Sequence, residues 1–146
     1  MFPDEKLSLI KTNDLNGVTL AFMGDSVYEL MARSLILSEN SGKIGDLHKL
    51  TVAFSNASFQ ARAAKLVQPL LSEEETAVFK RGRNSHPGHT PKNKTAADYH
   101  LATALEALFG WLYIKNETER LSELFGIIAK EAEKLSDENK NEQKKI

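Results

Sequence analysis

Two stretches of this 146-residue chain are almost wholly apolar, and each holds one acid near its middle. In LNGVTLAFMGDSVYEL, Asp25 is the only charge from Leu15 to Tyr28. In LATALEALFGWLYI, Glu106 is the only charge from Leu101 to Ile114. Both have helical spacing, and each acid has a glycine close by: Gly24 beside Asp25, and Gly110 four residues after Glu106. A glycine inside a helix costs about 1 kcal/mol against alanine, and close approach to a neighbouring helix is the usual return. A carboxylate in apolar surroundings is costly unless a cation or a hydrogen-bond network meets it. The pattern predicts two acid-bearing helices that cross closely and share a metal site.

The helical reading extends along the chain. No segment shows sustained period-2 alternation or a strand–turn–strand pattern, so the expected fold is all-α. Asn13 or Asp14 is expected to cap a first helix running to about Leu37, followed by a turn from Ser41 to Gly45. Asp46 is expected to cap a second helix through Leu66, with Pro69 near its end. Ser72 and Glu75 form a capping box for a third helix, to about Gly82. The stretch Asn84 to Lys94 contains Pro87, Gly88 and Pro91 and reads as a loop. Thr95 is expected to start a fourth helix, to Ile114, and Asn116 with Glu119 to cap a fifth, to about Leu135. Residues 1–136 form a single domain in this reading. Residues 137–146, within SDENKNEQKKI, have almost no apolar side chains and are expected to be disordered.

The first helix carries apolar residues on two sides. Leu20, Met23, Val27, Leu30 and Met31 form one stripe. Val18, Phe22, Asp25, Glu29, Ala32 and Ile36 form a second, which places Asp25 in packing with Glu29 one turn on. A helix apolar on both sides is central or lies at an oligomer interface. On the fourth helix, Tyr99, Thr103, Glu106, Gly110 and Tyr113 share a stripe.

The formal charge of −1 gives no global signal for nucleic acid, so contact with a polyanion needs a local patch. KRGRNSHPGHTPKNK provides one. Lys80, Arg81, Arg83, Lys92 and Lys94 occur with no acid among them, beside Asn84, Ser85 and Thr90 as neutral donors. It precedes the Glu106 helix and reads as a phosphate-backbone clamp. His86 and His89 are a weak zinc signal, because catalytic zinc takes three protein ligands. His48 and His100 are isolated and read as surface or packed histidines. Cysteine is absent, which excludes disulfides and thiolate sites. The first residues lack the pattern of a secretory signal, and no apolar run reaches the roughly 20 residues that span a bilayer. A cytoplasmic protein with no membrane association is the expectation.

LAFMGDSVYEL resembles the signature helix of the ribonuclease III family, and TALEALFGWLYI is similar to that family's second acidic helix. Their order and separation match, with the basic loop between them. The likeness covers roughly Leu15 to Leu135. A lone catalytic domain with the KRGRN…TPKN loop resembles the short branch called Mini-ribonuclease III, which lacks the usual double-stranded-RNA-binding domain. That resemblance implies a helical domain dimerising through its signature helix and a magnesium-dependent endoribonuclease acting on double-stranded RNA. It also implies a 5′-phosphate and 3′-hydroxyl product and a role in maturing large-subunit ribosomal RNA. Asp25 and Glu106 match two of the family's four site acids. Val18 and Ala21 stand where many members have glutamates, and Thr103 where the second helix usually supplies an aspartate. Glu29 lies on the Asp25 face and could supplement the site. Two rivals are a non-catalytic duplex-RNA-binding dimer and a helical metal-dependent nucleotide hydrolase.

Overall fold

A computed structural model describes residues 4–85 and 95–144. The elements are α1 (Asp4–Leu7), α2 (Gly17–Glu39), α3 (Ile44–Ser55), α4 (Ala57–Val67), α5 (Glu73–Arg83), α6 (Ala96–Ile114) and α7 (Thr118–Lys144). Single 3₁₀ turns lie at Thr12–Asp14 and Gln68–Leu70. No strand occurs among the described residues, so the fold is all-α.

The near absence of polar residues from α6 dictates its place. From Ala102 to Ile114 every residue is buried except Glu106 and Tyr113. A helix apolar on all sides must be surrounded, and α2, α5, α4 and α7 all pack on it. Its most extensive contact is with α2. One end of the core is aromatic. Tyr28 meets Phe109 and Phe125 edge-on, at 5.6 and 5.9 Å between ring centroids, and Phe54 stacks on Phe125 at 5.8 Å.

Local chemistry sets the ends of several helices. The Ser72–Glu75 capping box is present in full: Ser72 Oγ accepts from the Glu75 N–H, and Glu75 Oε1 accepts from the Ser72 N–H. Glu75 is also buried against Arg120, which donates to it from Nε and from a terminal nitrogen, each at 2.9 Å. Burial alone pushes the Glu75 carboxyl up. The bonds from Arg120 and Ser72, with the guanidinium charge, outweigh burial and hold it below its ordinary value. Thr95 caps α6 through Asp98, as its position predicts.

Other boundaries differ from expectation. α2 is capped by Asn16, which accepts from Thr19, and not by Asn13 or Asp14, two residues that fall in the preceding 3₁₀ turn. The expected second helix is two helices. Asn56 adopts an extended backbone, and its side chain accepts from the Phe59 N–H, so it ends α3 and caps α4. Lys43 occupies the N-cap of α3, with Asp46 in the first turn. Asn116, expected to cap the last helix, closes α6 instead. Its φ is 60°, its N–H bonds Tyr113 O and the Glu117 N–H bonds Leu112 O, which is the left-handed ending that Gly or Asn favours. α7 runs to Lys144, through residues for which composition predicts disorder. That segment is exposed and rich in Glu, Lys and Gln, all good helix formers.

Candidate active site at the crossing of α2 and α6

The two glycines flagged by sequence are where α2 and α6 touch. A Cβ on Gly24 would collide with the Glu106 carbonyl oxygen and stand 2.8 Å from the Gly110 nitrogen. A Cβ on Gly110 would collide with Leu20 O and stand 2.9 Å from Gly24 N. The helices therefore meet backbone to backbone, and Asp25 follows the residue that rests on Glu106.

The orientation of Asp25 departs from expectation. Asp25 is exposed, not packed. The buried face of α2 is Leu20, Ala21, Gly24, Val27, Tyr28, Ala32 and Ile36. Of the second apolar stripe, only Ala32 and Ile36 are in the core. Phe22 is 78% exposed and Val18 41%. Glu106 is half-buried. Glu29 is half-buried on the Asp25 side and pairs with Arg33 one turn on, at 3.3 Å.

Tyr28, one turn after Gly24, feels the charge of Glu106, and sequence reasoning did not identify it. Its ring is buried, and its hydroxyl donates to Phe54 O at 2.7 Å. Burial pushes the phenol far above its ordinary range, and the negative charge of Glu106 adds to the effect. The signal was present in the four-residue step from Gly24, which puts Tyr28 on the face toward α6.

The donor chemistry fits a hard divalent cation. Magnesium takes one or two carboxylates and keeps several waters. Asp25 is exposed and one residue from the Gly24–Glu106 backbone contact, and Glu106 is half-buried and part of it. Among the described residues no group of three or more His, Cys, Asp or Glu comes together as metal ligands.

The end of α5 is fixed against both acid-bearing helices. Gly17 sits on the Arg81 carbonyl, where a Cβ would stand 2.5 Å from the oxygen. Gly82 rests on Ala104 and Ala107 of α6, with Thr103 O beside it, on either side of Glu106 in sequence. Lys80 and Arg83 are exposed there. Arg81 differs: it is half-buried, donates to Thr12 O at 3.5 Å, and its Nε is buried without a partner. Lys92, Lys94, Thr90, His86 and His89 lie outside the described residues. Thr103, where the resemblance leads one to expect an aspartate, is buried and donates to Tyr99 O. His48 is exposed. No helix among the described residues is long and apolar enough to cross a membrane.

Comparison with known proteins agrees with this fold. The sequence pattern of the Ribonuclease III domain matches residues 18–117. The chain is 38% identical over 128 residues to Mini-ribonuclease 3 of Clostridium tetani, covering 87% of this chain and 85% of that protein. It is 42% identical over 110 residues to Mini-ribonuclease 3 of a Thermoanaerobacter species, covering 75% and 78%. A crystal structure of a Fusobacterium nucleatum protein superposes with a TM-score of 0.77 at 34% identity, covering 83% of this chain and 99% of that one.

Proposed function

The chain belongs to the ribonuclease III family, in the branch of the Mini-ribonuclease 3 proteins, and we propose that it is a magnesium-dependent endoribonuclease that cuts double-stranded RNA at Asp25 and Glu106. The observation that carries this reading is the backbone contact of Gly24 with Glu106, which brings the two acids to adjoining positions on different helices. Magnesium held by Asp25 and Glu106 would polarise the scissile phosphate and lower the pKa of water. Asp25 is the open carboxylate, able to meet the phosphate region of a bound strand. The backbone of Glu106 rests on Gly24 of α2, which fixes its position before substrate arrives. Water adds to phosphorus in line, and the bond to the 3′-oxygen breaks. The products are a 5′-phosphate and a 3′-hydroxyl, with the proton of water passing to the leaving oxygen.

Lys80, Arg83, Lys92 and Lys94 form the proposed phosphate-binding set, supported by the exposed side chains of Lys80 and Arg83 at the end of α5, whereas Arg81 is turned toward Thr12 O. Duplex RNA is recognised by shape through phosphates and 2′-hydroxyls, and a two-fold dimer would offer one site to each strand. The outer side of α2 supports such a dimer. Phe22, Val18 and Leu30 are exposed there, beside a groove of about 580 Å³ lined by Met23, Val27, Met31, Tyr113 and Leu121. A large-subunit ribosomal RNA precursor in the cytoplasm is the natural substrate that the likeness to the branch implies.

Incubation with an end-labelled RNA duplex, with and without magnesium, tests the activity. Duplex cleavage that needs magnesium, with single-stranded RNA left intact, is the expected result. Binding without cleavage would make the protein a duplex-binding dimer, and turnover of free nucleotides would make it a nucleotide hydrolase.

A further inference from the structure

A recess of about 560 Å³ opens at the seam of α5 and α6, lined by Arg83, Asn84, Ala97, His100 and Leu101. Ala97 and Leu101 supply its apolar surface. Arg83 supplies an exposed guanidinium, Asn84 a carboxamide and His100 one edge of an imidazole. This mixture suits a ribose–phosphate unit, in which a flat apolar sugar face adjoins an anion.

His100 distinguishes the recess from a merely basic surface. Its ring lies edge-on to Tyr99, 6.1 Å between centroids, and its Nδ1 is buried without a hydrogen-bond partner. A neutral imidazole carries its proton on one nitrogen only. A buried N–H with no acceptor is costly, so the proton belongs on Nε2. With Nδ1 sealed, Nε2 is also the one ring nitrogen that can reach a ligand.

We propose that this recess seats one backbone phosphate of the RNA duplex, with Arg83 as its counter-charge and His100 Nε2–H and the Asn84 amide as neutral donors. The inference rests on the duplex-RNA reading above and adds His100 to it as a binding residue. Because His100 lies six residues before Glu106 on one rigid helix, a strand held there is registered against the acids.

A neutral donor releases no counterion on binding, whereas an arginine neutralising a phosphate does. Affinity of the full chain for a fluorescent RNA duplex, measured without divalent metal across a sodium chloride series, separates the two. His100→Ala is expected to weaken binding roughly three- to ten-fold at every salt concentration, the worth of one hydrogen bond, with the wild-type slope. Arg83→Ala is expected to reduce the slope of log affinity against log salt by about 0.9. His100→Gln, whose amide N–H can take the place of Nε2–H, is expected to regain most of the loss. Wild-type affinity in His100→Ala would overturn the proposal, as would a slope reduced like that of Arg83→Ala. Gln no better than Ala would return His100 to a packing role and also overturn it. A wild-type chain that fails to bind duplex RNA at all would instead remove the reading on which the proposal rests.

Discussion

Gly24→Ala is a single methyl placed where the two acid-bearing helices meet. The new Cβ would collide with the Glu106 carbonyl oxygen and stand 2.5 Å from its carbon and 2.8 Å from the Gly110 nitrogen. All three are backbone atoms, so no side chain can rotate away. Ordinary contact begins near 3.4 Å and the carbonyl oxygen would lie far inside it, so the helices must separate by roughly 2 Å. Overpacking of this kind costs about 3 kcal/mol at the upper end of its range. Replacing a mid-helix glycine returns about 1 kcal/mol, leaving a net loss of about 2 kcal/mol. For a chain of this size that is a fall in Tm of roughly 4–8 °C. Cleavage should suffer more than stability, because a displacement of about 1 Å between catalytic groups can cost roughly 100-fold. Gly126→Ala is the control: it is exposed on α7, and nothing lies within 4 Å of its Cβ. It should match or exceed wild-type stability. Thermal melts with single-turnover cleavage at 25 °C check both variants. A Gly24→Ala protein that melts and cleaves like wild type would refute the close-crossing argument.

Two further outcomes follow from the structure. Glu75→Gln removes one partner of a buried bidentate pair and should cost about 3 kcal/mol in chemical denaturation. Because the folded Glu75 carboxyl is held below its unfolded value, its contribution is full above a pH of about 4.3 and is lost as pH falls through the folded pKa. The melting difference between Glu75→Gln and wild type should therefore shrink as pH falls below about 4, and a constant difference would contradict the assignment. Sedimentation at micromolar concentration should show a wild-type dimer and a monomeric Phe22→Glu, since Phe22 is exposed and the added charge would be buried unpaired at the interface. A wild-type monomer would refute the dimer.

The features legible in sequence are those set by local chemistry. Ser72 with Glu75, and Thr95 before α6, bond their own backbones within three residues, so the letters suffice. The cost of Gly24 and Gly110 in a helix pointed to close approach, and their contacts bear that reading out. The direction of Asp25 was not legible, because an exposed apolar stripe such as Val18 and Phe22 has the same spacing as a buried one. The break at Asn56 was hidden because α3 and α4 keep apolar spacing across it, while a side-chain bond to Phe59 competes with the continuous helix. Asn116 has the residue type of an N-cap and of a left-handed helix end, and only the carbonyls of Leu112 and Tyr113 decide between them. Tyr28 was not legible as a neighbour in charge, because only the fold brings it within range of the Glu106 carboxylate. Arg81 read as one of five equivalent cations, but the packing of α5 on the segment before α2 turns it toward Thr12.

The pairing of Asp25 with Glu106 is tested most directly by single-turnover cleavage of a labelled duplex at saturating magnesium, using Asp25→Asn, Glu106→Gln and the double variant. Both substitutions keep volume and remove a charge that would offset the cation. Each single variant should lose activity by orders of magnitude while retaining duplex affinity and a wild-type melting curve. The double variant should be little worse than either, because residues acting as one unit are not additive. Near-normal cleavage by either single variant would contradict the shared carboxylate site.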